Sequence, residues 1–425
     1  MTGRVTPLAL SVLTVAAWAL ALAVLLARAE LLLVALPAVV ALGALPRRAA
    51  PPACTVLHRV SADRLFEGDA VTVTVSVQAR AAVPLVELLG PRPAGAQVRA
   101  GRHRAVMTLR AGQAVEWRYD LVFPRRGVHD VGAVAVRLRD RLGLRAWEWR
   151  QLAPLTLRVF PRPMALRTLP RPAHARASGG DHLSRVLGEG IEPGDVREFA
   201  PGDRIRHVNW RASLRLGRLY VTQRHRERNA DVVLMLDTLA EVGAPPETTL
   251  DLGVRAAVSL ATAYLGRRDR VGLVTYGGVM TWVRPGSGAV QYERLADGLL
   301  RAEVVFTYVA KDLARVPARV LSPQALVIAI TPLLDPRFAG AVADLAARGF
   351  DVVVLLVSPV AVTRALVDGG SVEALATRLW ALERRADLAA LQRQGVAVID
   401  WQPPEPLEAA LARARWRRVR LASAG

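Results

Sequence analysis

The densest collection of chemically capable side chains lies in residues 191–238, which read IEPGDVREFAPGDRIRHVNWRASLRLGRLYVTQRHRERNADVVLMLDT. The run holds two Pro-Gly-Asp triplets, Pro193-Gly194-Asp195 and Pro201-Gly202-Asp203. An Arg/Asn/Trp cluster follows (Arg206, Asn209, Trp210, Arg211), then a basic run, then an apolar strand that ends on Asp237. Pro followed by Gly suits the middle of a type II turn, and Asp can close such a turn on nearby amides. The guanidinium groups of Arg206 and Arg211 suit bidentate recognition of a carboxylate or phosphate. That acceptor is Asp203 within the chain or an acidic group on a partner. A hydrolytic reading of Asp203 with His207 lacks a nucleophile at any recognised spacing. The block reads as a docking or joining segment rather than a catalytic one.

The elements after the block must position Asp237. Residues 231–236 form a continuous apolar strand, the pattern of a parallel strand buried on both faces. Residues 248–265 read as a helix, 270–276 and 279–283 as strands, and 290–300 as a helix. Strands at 325–330 and 352–357 flank a helix at 337–348, and 372–394, 396–399 and 406–418 give a helix, a strand and a helix. This alternation predicts a doubly wound sheet over 230–425, with ligands taken beyond the carboxyl ends of the strands, where Asp237 falls. No glycine loop of Walker or dinucleotide type follows any strand, so nucleotide binding is left to a partner.

Residues 55–161 change to a period of two. Residues 71–77 alternate as a half-buried strand should, and Glu67-Gly68-Asp69, Arg110-Ala111-Gly112 and Arg125-Arg126-Gly127 mark turns between further strands. Several short strands at this spacing argue for an immunoglobulin-like β-sandwich acting as a spacer or partner platform. His103 and His129 are isolated there and read as surface residues. Residues 162–190, rich in Pro, Arg and Gly, read as an extended linker.

Residues 8–27 are uncharged and apolar over the length a bilayer core requires, and 31–45 form a second, shorter run that carries Pro37. Residues 1–48 therefore read as a transmembrane helical hairpin. Arg4 precedes it and Arg47-Arg48 follow it, while its turn, Arg28-Ala29-Glu30, is neutral. The positive-inside rule then places both ends, and all the soluble portion, in the cytoplasm of a multi-pass membrane protein. The first run is longer than the apolar region of a signal peptide.

The apolar content, 52%, fits membrane segments. The net charge of +20 is carried almost wholly by arginine, Lys311 being the single lysine. With abundant Ala, Val and Leu this matches a GC-rich coding bias, which weakens any inference from basicity to nucleic acid; none is expected as a partner. Cys54 is the one cysteine, so there is no intramolecular disulfide and no cysteine-based zinc cluster.

The run Arg197-Glu198-Phe199-Ala200-Pro201-Gly202-Asp203, followed by Arg206 and Asn209-Trp210-Arg211-Ala212-Ser213, resembles the signature of the family catalogued as domain of unknown function 58. Arg125-Arg126-Gly127-Val128 and Asp140-Arg141-Leu142-Gly143-Leu144 resemble its upstream signature. Phe199 stands for the usual Tyr, and Arg141-Leu142 for Pro-Phe. The resemblance implies a membrane-anchored protein with a von Willebrand A-like domain, paired with a MoxR-type AAA+ ATPase. Such a domain often holds Mg²⁺ through a D-x-S-x-S loop with a distant Thr and Asp, a set of hard oxygen ligands. Here the loop reads Asp237-Thr238-Leu239-Ala240-Glu241, with both serines lost. Thr331-Pro332 replaces the third-motif Asp, Asp335 lies just beyond, and Ser287 is a loose stand-in for the Thr.

The expectation is a metal-free, non-enzymatic scaffold or adaptor with no cofactor. Residues 191–229 form its docking segment, centred on Arg197, Phe199, Pro201, Gly202, Asp203, Arg206, Asn209, Trp210 and Arg211. The alternatives are a Mg²⁺-dependent adhesion protein or a metal-assisted hydrolase, either using Asp237, Glu241 and Asp335.

Overall fold

The computed structural model describes residues 4–43, 53–152, 155–170, 183–187, 193–200, 205, 208–227, 231–307, 313, 316–317, 319–322, 325–364, 366–367 and 370–414. The chain divides into two compact units, Met1–Phe160 and Pro161–Gly425.

In the first unit a short strand β1 (Arg4–Val5) leads into α1 (Pro7–Leu25), which turns over into α2 (Glu30–Gly43). Thr6 caps α1 by accepting from the Ala9 amide, and Pro7 opens the helix at a position where its missing N–H is not needed. The buried residues of α1 are all small (Ala9, Ala16, Ala19 and Ala23), while Leu, Val and Trp18 face outward. That is the inverse of a helix packed in water. Among the described residues α1 is the one helix long and apolar enough to cross a membrane. Its 19 residues span about 29 Å, close to the ~30 Å of a hydrocarbon core. α2, with 14 residues and Pro37 inside it, spans only about 21 Å.

The rest of this unit is β-structure: β2 (Cys54–Val60), β3 (Arg64–Phe66), β4 (Ala70–Ala79), β5 (Val83–Leu89), β6 (Gln97–Ala100), β7 (Arg104–Leu109), β8 (Ala114–Val122), β9 (Gly127–Asp130), β10 (Ala133–Arg139), β11 (Arg145–Leu152) and β12 (Thr156–Phe160). A four-stranded sheet β2-β4-β8-β6 and a five-stranded sheet β1-β11-β10-β5-β7 share one core, with β3-β12-β9 as a third sheet. The alternation in β4 puts Val71, Val73, Val75 and Val77 into that core with Val86, Leu88, Val134, Val136 and Leu138. His129 is not a surface residue: its ring lies 4.6 Å from that of Phe123, and burial pushes its pKa down.

The second unit begins with a strap. Residues 161–170, the front of the expected linker, run along the α/β layer and are tied to it by named bonds. The Met164 amide donates to Ser259 Oγ at 2.8 Å, and Glu408 accepts from the amides of Arg167 at 2.9 Å and Thr168 at 3.1 Å. Leu169 joins the core, and Tyr264 donates its hydroxyl to the Pro170 carbonyl. Further on, β13 (Leu183–Leu187), β14 (Pro193–Glu198), α3 (Trp210–Leu216) and β15 (Tyr220–Glu227) form a small sheet of order β13-β15-β14 with one helix. The first Pro-Gly-Asp triplet is therefore not a turn. Pro193–Asp195 begin the edge strand β14, with an irregular register between Pro193 and Val196. An edge is where a sheet tolerates proline.

The main sheet follows: β16 (Asp231–Thr238), α4 (Thr249–Gly266), β17 (Arg270–Gly277), β18 (Thr281–Gly286), α5 (Ala289–Leu300), β19 (Leu326–Thr331), α6 (Pro336–Ala347), β20 (Asp351–Val357), α7 (Pro359–Arg364), α8 (Ser371–Arg393), β21 (Ala397–Trp401) and α9 (Leu407–Arg413). Its order is β18-β17-β16-β19-β20-β21, all parallel except the antiparallel edge β18. Alternate residues of each strand enter two cores. Val232, Leu234 and Leu236 meet α4, α5 and α9 on one face, while Val233 and Met235 meet α6 and α8 on the other. This is the two-faced apolar burial that the continuous strand at 231–236 required.

Candidate functional site

Strand order locates the site before any side chain is considered. β16 has β17 on one side and β19 on the other. The chain leaves β16 toward α4 on one face of the sheet and leaves β19 toward α6 on the opposite face. The two exits diverge, and a crevice opens beyond the carboxyl ends of these neighbouring strands. In open α/β sheets that is where ligands bind. Asp237 and Thr331 stand at its floor.

Asp237 is 3% exposed and both of its carboxylate oxygens are engaged. Oδ1 accepts from the Leu239 amide at 3.0 Å, and Oδ2 accepts from Thr331 Oγ1 at 2.6 Å. The Thr331 hydroxyl in turn accepts from the Leu333 amide at 2.8 Å. Leu333 adopts φ +52°, a left-handed conformation disfavoured for a branched aliphatic residue. Its carbonyl is held by Arg384 of α8. Burial pushes the Asp237 carboxyl up to about 7, and the Thr331 and Leu239 bonds only partly oppose it.

At the rim, Asp335 caps α6 by accepting from the Arg337 amide at 2.9 Å. Both of its oxygens are then occupied by the Arg337 side chain, Nε to Oδ1 at 2.9 Å and Nη2 to Oδ2 at 2.6 Å. Arg337 Nη1 donates to the Thr307 carbonyl at 2.8 Å. The fork holds Asp335 below the usual carboxylate range and raises Arg337, with the charge of Asp237 contributing to the latter. A basic residue in the first turn of a helix opposes the helix dipole. Here the fork onto Asp335 compensates.

The donor set does not fit a divalent cation. One carboxylate has both oxygens used within the fold, and the other is neutralised by an internal guanidinium. Glu241 lies half-buried in the loop after β16. No group of three or more His, Cys, Asp or Glu able to hold a metal occurs among the described residues. Ser287 is at the wrong end of the sheet. Gly286 pairs with Val271 at the start of β17, whereas Thr238 pairs with Gly277 at its end, because β18 folds back antiparallel. The separation along β17 is about 20 Å.

The docking segment resolves into a clip and an exposed face. Asn209 caps α3, its Oδ1 accepting from the Ala212 amide at 3.0 Å, and its amide donates to the Tyr220 carbonyl at 2.7 Å. Ser213, 7% exposed, accepts from the Tyr220 amide at 2.8 Å and so pins α3 to β15. Phe199 donates its amide to the Leu219 carbonyl at 2.8 Å, and Arg197 Nη1 donates to the Glu198 carbonyl at 2.9 Å. Trp210 is 59% exposed, beside exposed Arg211 and Leu214. Pro201, Gly202, Asp203 and Arg206 lie outside the described residues. Arg337 and Arg384 were not singled out by their sequence, and Thr331 only as the residue standing where the third-motif Asp was expected. The signal was present in Asp335-Pro336-Arg337, where Asp before Pro marks a helix start and a basic residue in the first turn requires a partner.

The upstream signature residues are structural within the first unit. The Arg126 amide donates to buried Glu67 at 3.0 Å. Asp140 closes the β10–β11 turn, accepting from the Arg145 amide at 3.1 Å. That turn receives the start of α1: Thr6 donates its hydroxyl to the Gly143 carbonyl at 2.7 Å, and β1 pairs with β11.

An apolar N-terminal helix, antiparallel sheets and a mixed parallel sheet define a multidomain protein whose α/β unit has a self-occupied switch-point crevice. Residues 195–373 match the family described as "Protein of unknown function DUF58". The chain is 33% identical over 112 residues to uncharacterized proteins of Mycobacterium tuberculosis (strain ATCC 25618 / H37Rv) and Mycobacterium bovis (strain ATCC BAA-935 / AF2122/97). The match covers 26% of this chain and 35% of theirs, so the chain spans about a third of the length of these curated relatives. Among solved structures, native alpha-2-macroglobulin from Escherichia coli is similar at TM-score 0.20 and 18% identity, over 27% of this chain and 25% of that one. The cupredoxin domain of amoB from Nitrosocaldus yellowstonii is similar at TM-score 0.20 and 12% identity, over 26% and 88%. Likeness at this level carries no argument about function.

Proposed function

We propose that the protein is a membrane-tethered scaffold or adaptor, with its bulk in the cytoplasm, whose α/β unit binds a protein partner without a metal ion. In this reading the α/β unit is a von Willebrand A-like domain and the β-rich unit an immunoglobulin-like spacer. The partner is a MoxR-type AAA+ ATPase. The observation that carries the proposal is the Arg337 fork on Asp335 beside a buried, doubly bonded Asp237. It neutralises Asp335 at the crevice rim and leaves the carboxylates nothing to offer a cation. With Trp210 and Leu214 exposed on α3, the unit offers apolar and basic surface suited to a protein.

Membrane tethering is supported by α1 and by the stitching of its first turn onto β11. Because β2 follows α2, both ends of a hairpin would then lie on the side of the β-rich unit. That agrees with the placement of Arg4 and Arg47-Arg48.

The test is to solubilise the tagged full chain and identify what co-purifies with and without EDTA. An ATPase retained in EDTA is the expected result. Loss of every partner in EDTA, restored by Mg²⁺, would overturn the metal-free reading. Topology is tested separately by labelling Cys54 in denatured samples after blocking intact cells with an impermeant thiol reagent. Prior blocking in intact cells would count against cytoplasmic placement.

A further inference from the structure

α8 carries two contact faces, and among the described residues only one is used. Thr377, Trp380, Ala381, Arg384 and Leu388 are half-buried and Leu391 is buried, so one side of the helix rests on the unit. On the opposite side four large apolar residues stand in solvent: Val372 at 74%, Leu375 at 59%, Leu379 at 56% and Leu382 at 58% exposure. They recur at intervals of three, four and three residues. That is the a/d seam of a coiled coil, narrower than the stripe a helix uses to pack on a globular core. In this register the residues resting on the unit are at b, c and f, directly away from the seam. The first turn of the helix, Val372 to Leu375, is exposed all round.

We propose that α8 pairs in parallel with α8 of a second copy of this chain, forming a homodimer through this seam. The flanking charges select that occupant. With Val372 and Leu379 at a, and Leu375 and Leu382 at d, Arg378 occupies g and Glu383 the following e. In a parallel pair, g of one helix faces that following e of the other. Arg378 therefore meets Glu383 of the second copy, and the symmetry repeats the contact. Leu at both d positions and Val372 at the first a favour two parallel strands. The patch is self-complementary, as a two-fold interface requires, so the assembly closes rather than growing into a filament. A seam of two heptads is short. Confinement of both copies to one membrane raises their effective concentration, which compensates for the small contact. The pairing goes beyond the partner reading above and rests on that reading only for the membrane tether.

The experiment uses the full chain with Cys54→Ser, reconstituted in lipid vesicles, carrying one new cysteine at a time: Leu375→Cys, Leu379→Cys or Leu382→Cys. Ala374→Cys, exposed at position c, is the control. After mild copper-phenanthroline oxidation, each of the three seam variants should link to itself and the control should not. Arg378→Glu should lower linking at Leu379→Cys about fivefold, as expected for the loss of two exposed ion pairs, and Arg378→Glu with Glu383→Arg should restore it. These residues are exposed, so circular dichroism should remain that of the parent. The proposal is overturned by no link at any seam position, by linking at one seam position alone, by equal linking of the control, or by indifference to Arg378→Glu.

Discussion

Thr331 donates its hydroxyl to Asp237 across 2.6 Å, joining the adjacent parallel strands β16 and β19 where their exits diverge. Both residues are buried, and the same hydroxyl oxygen accepts from the Leu333 amide. Removing it leaves a buried carboxylate oxygen and a buried amide without their partner. Thr331→Val, close in shape, is expected to cost about 1–3 kcal/mol of unfolding free energy. Urea unfolding followed by near-ultraviolet circular dichroism measures it. A loss within experimental error would show that this bond does not hold the crevice together.

Stability should also respond to pH through Asp237. Its carboxyl titrates near the ordinary 3.8 when unfolded and at about 7 when folded. Between these values the folded state holds more protons than the unfolded state, so unfolding free energy falls as pH rises. Below about pH 4 both states are protonated, and above about pH 7 both are ionised, so the effect is confined to that window. Asp237→Asn should remove this component of the slope. Parallel pH profiles of the parent and the variant from 4 to 8 provide the comparison, and identical slopes would place the Asp237 titration elsewhere.

Arg337 is expected to act as the crevice's own cation. Mg²⁺ against EDTA should leave the parent's melting temperature unchanged. Arg337→Ala removes the guanidinium fork from Asp335, leaving only the amide cap on Oδ1, and should lower the melting temperature. Mg²⁺ should then raise it in the variant alone. Differential scanning calorimetry with each additive reads the outcome, and a Mg²⁺-dependent rise in the parent would contradict the assignment.

Much of the α/β unit was legible because its signals are local. The apolar run at 231–236 and the amphipathic run at 248–265 became β16 and α4 within a residue or two. The carboxyl end of β16 marked Asp237 before any contact was known. The content of the crevice was not legible. It depends on which way a side chain two positions away turns, and spacing alone does not tell that Arg337 folds back onto Asp335. Leu183–Leu187 was hidden for a different reason. Its strand exists through pairing with β15, some 40 residues later, and a Pro/Gly-rich context gave it no period of its own. Trp210, which the motif made a docking residue, stays exposed on α3. Asn209 and Ser213, the small polar residues around it, do the pinning.

That division gives the clearest way to separate docking from folding in the segment around α3. Asn209→Ala removes the α3 cap and should cost about 0.5–2 kcal/mol. Ser213→Ala leaves the Tyr220 amide without its acceptor and should cost about 1 kcal/mol or more. Trp210→Ala touches an exposed side chain and should change stability by no more than about 0.5 kcal/mol. If α3 is a docking face, only Trp210→Ala should lose the co-purifying partner at full stability, and the two pinning variants should lose it in proportion to their unfolding. Denaturation midpoints set beside pull-down yields for the three variants decide it. A Trp210→Ala protein that retains its partner at the parent's level removes α3 from the interface.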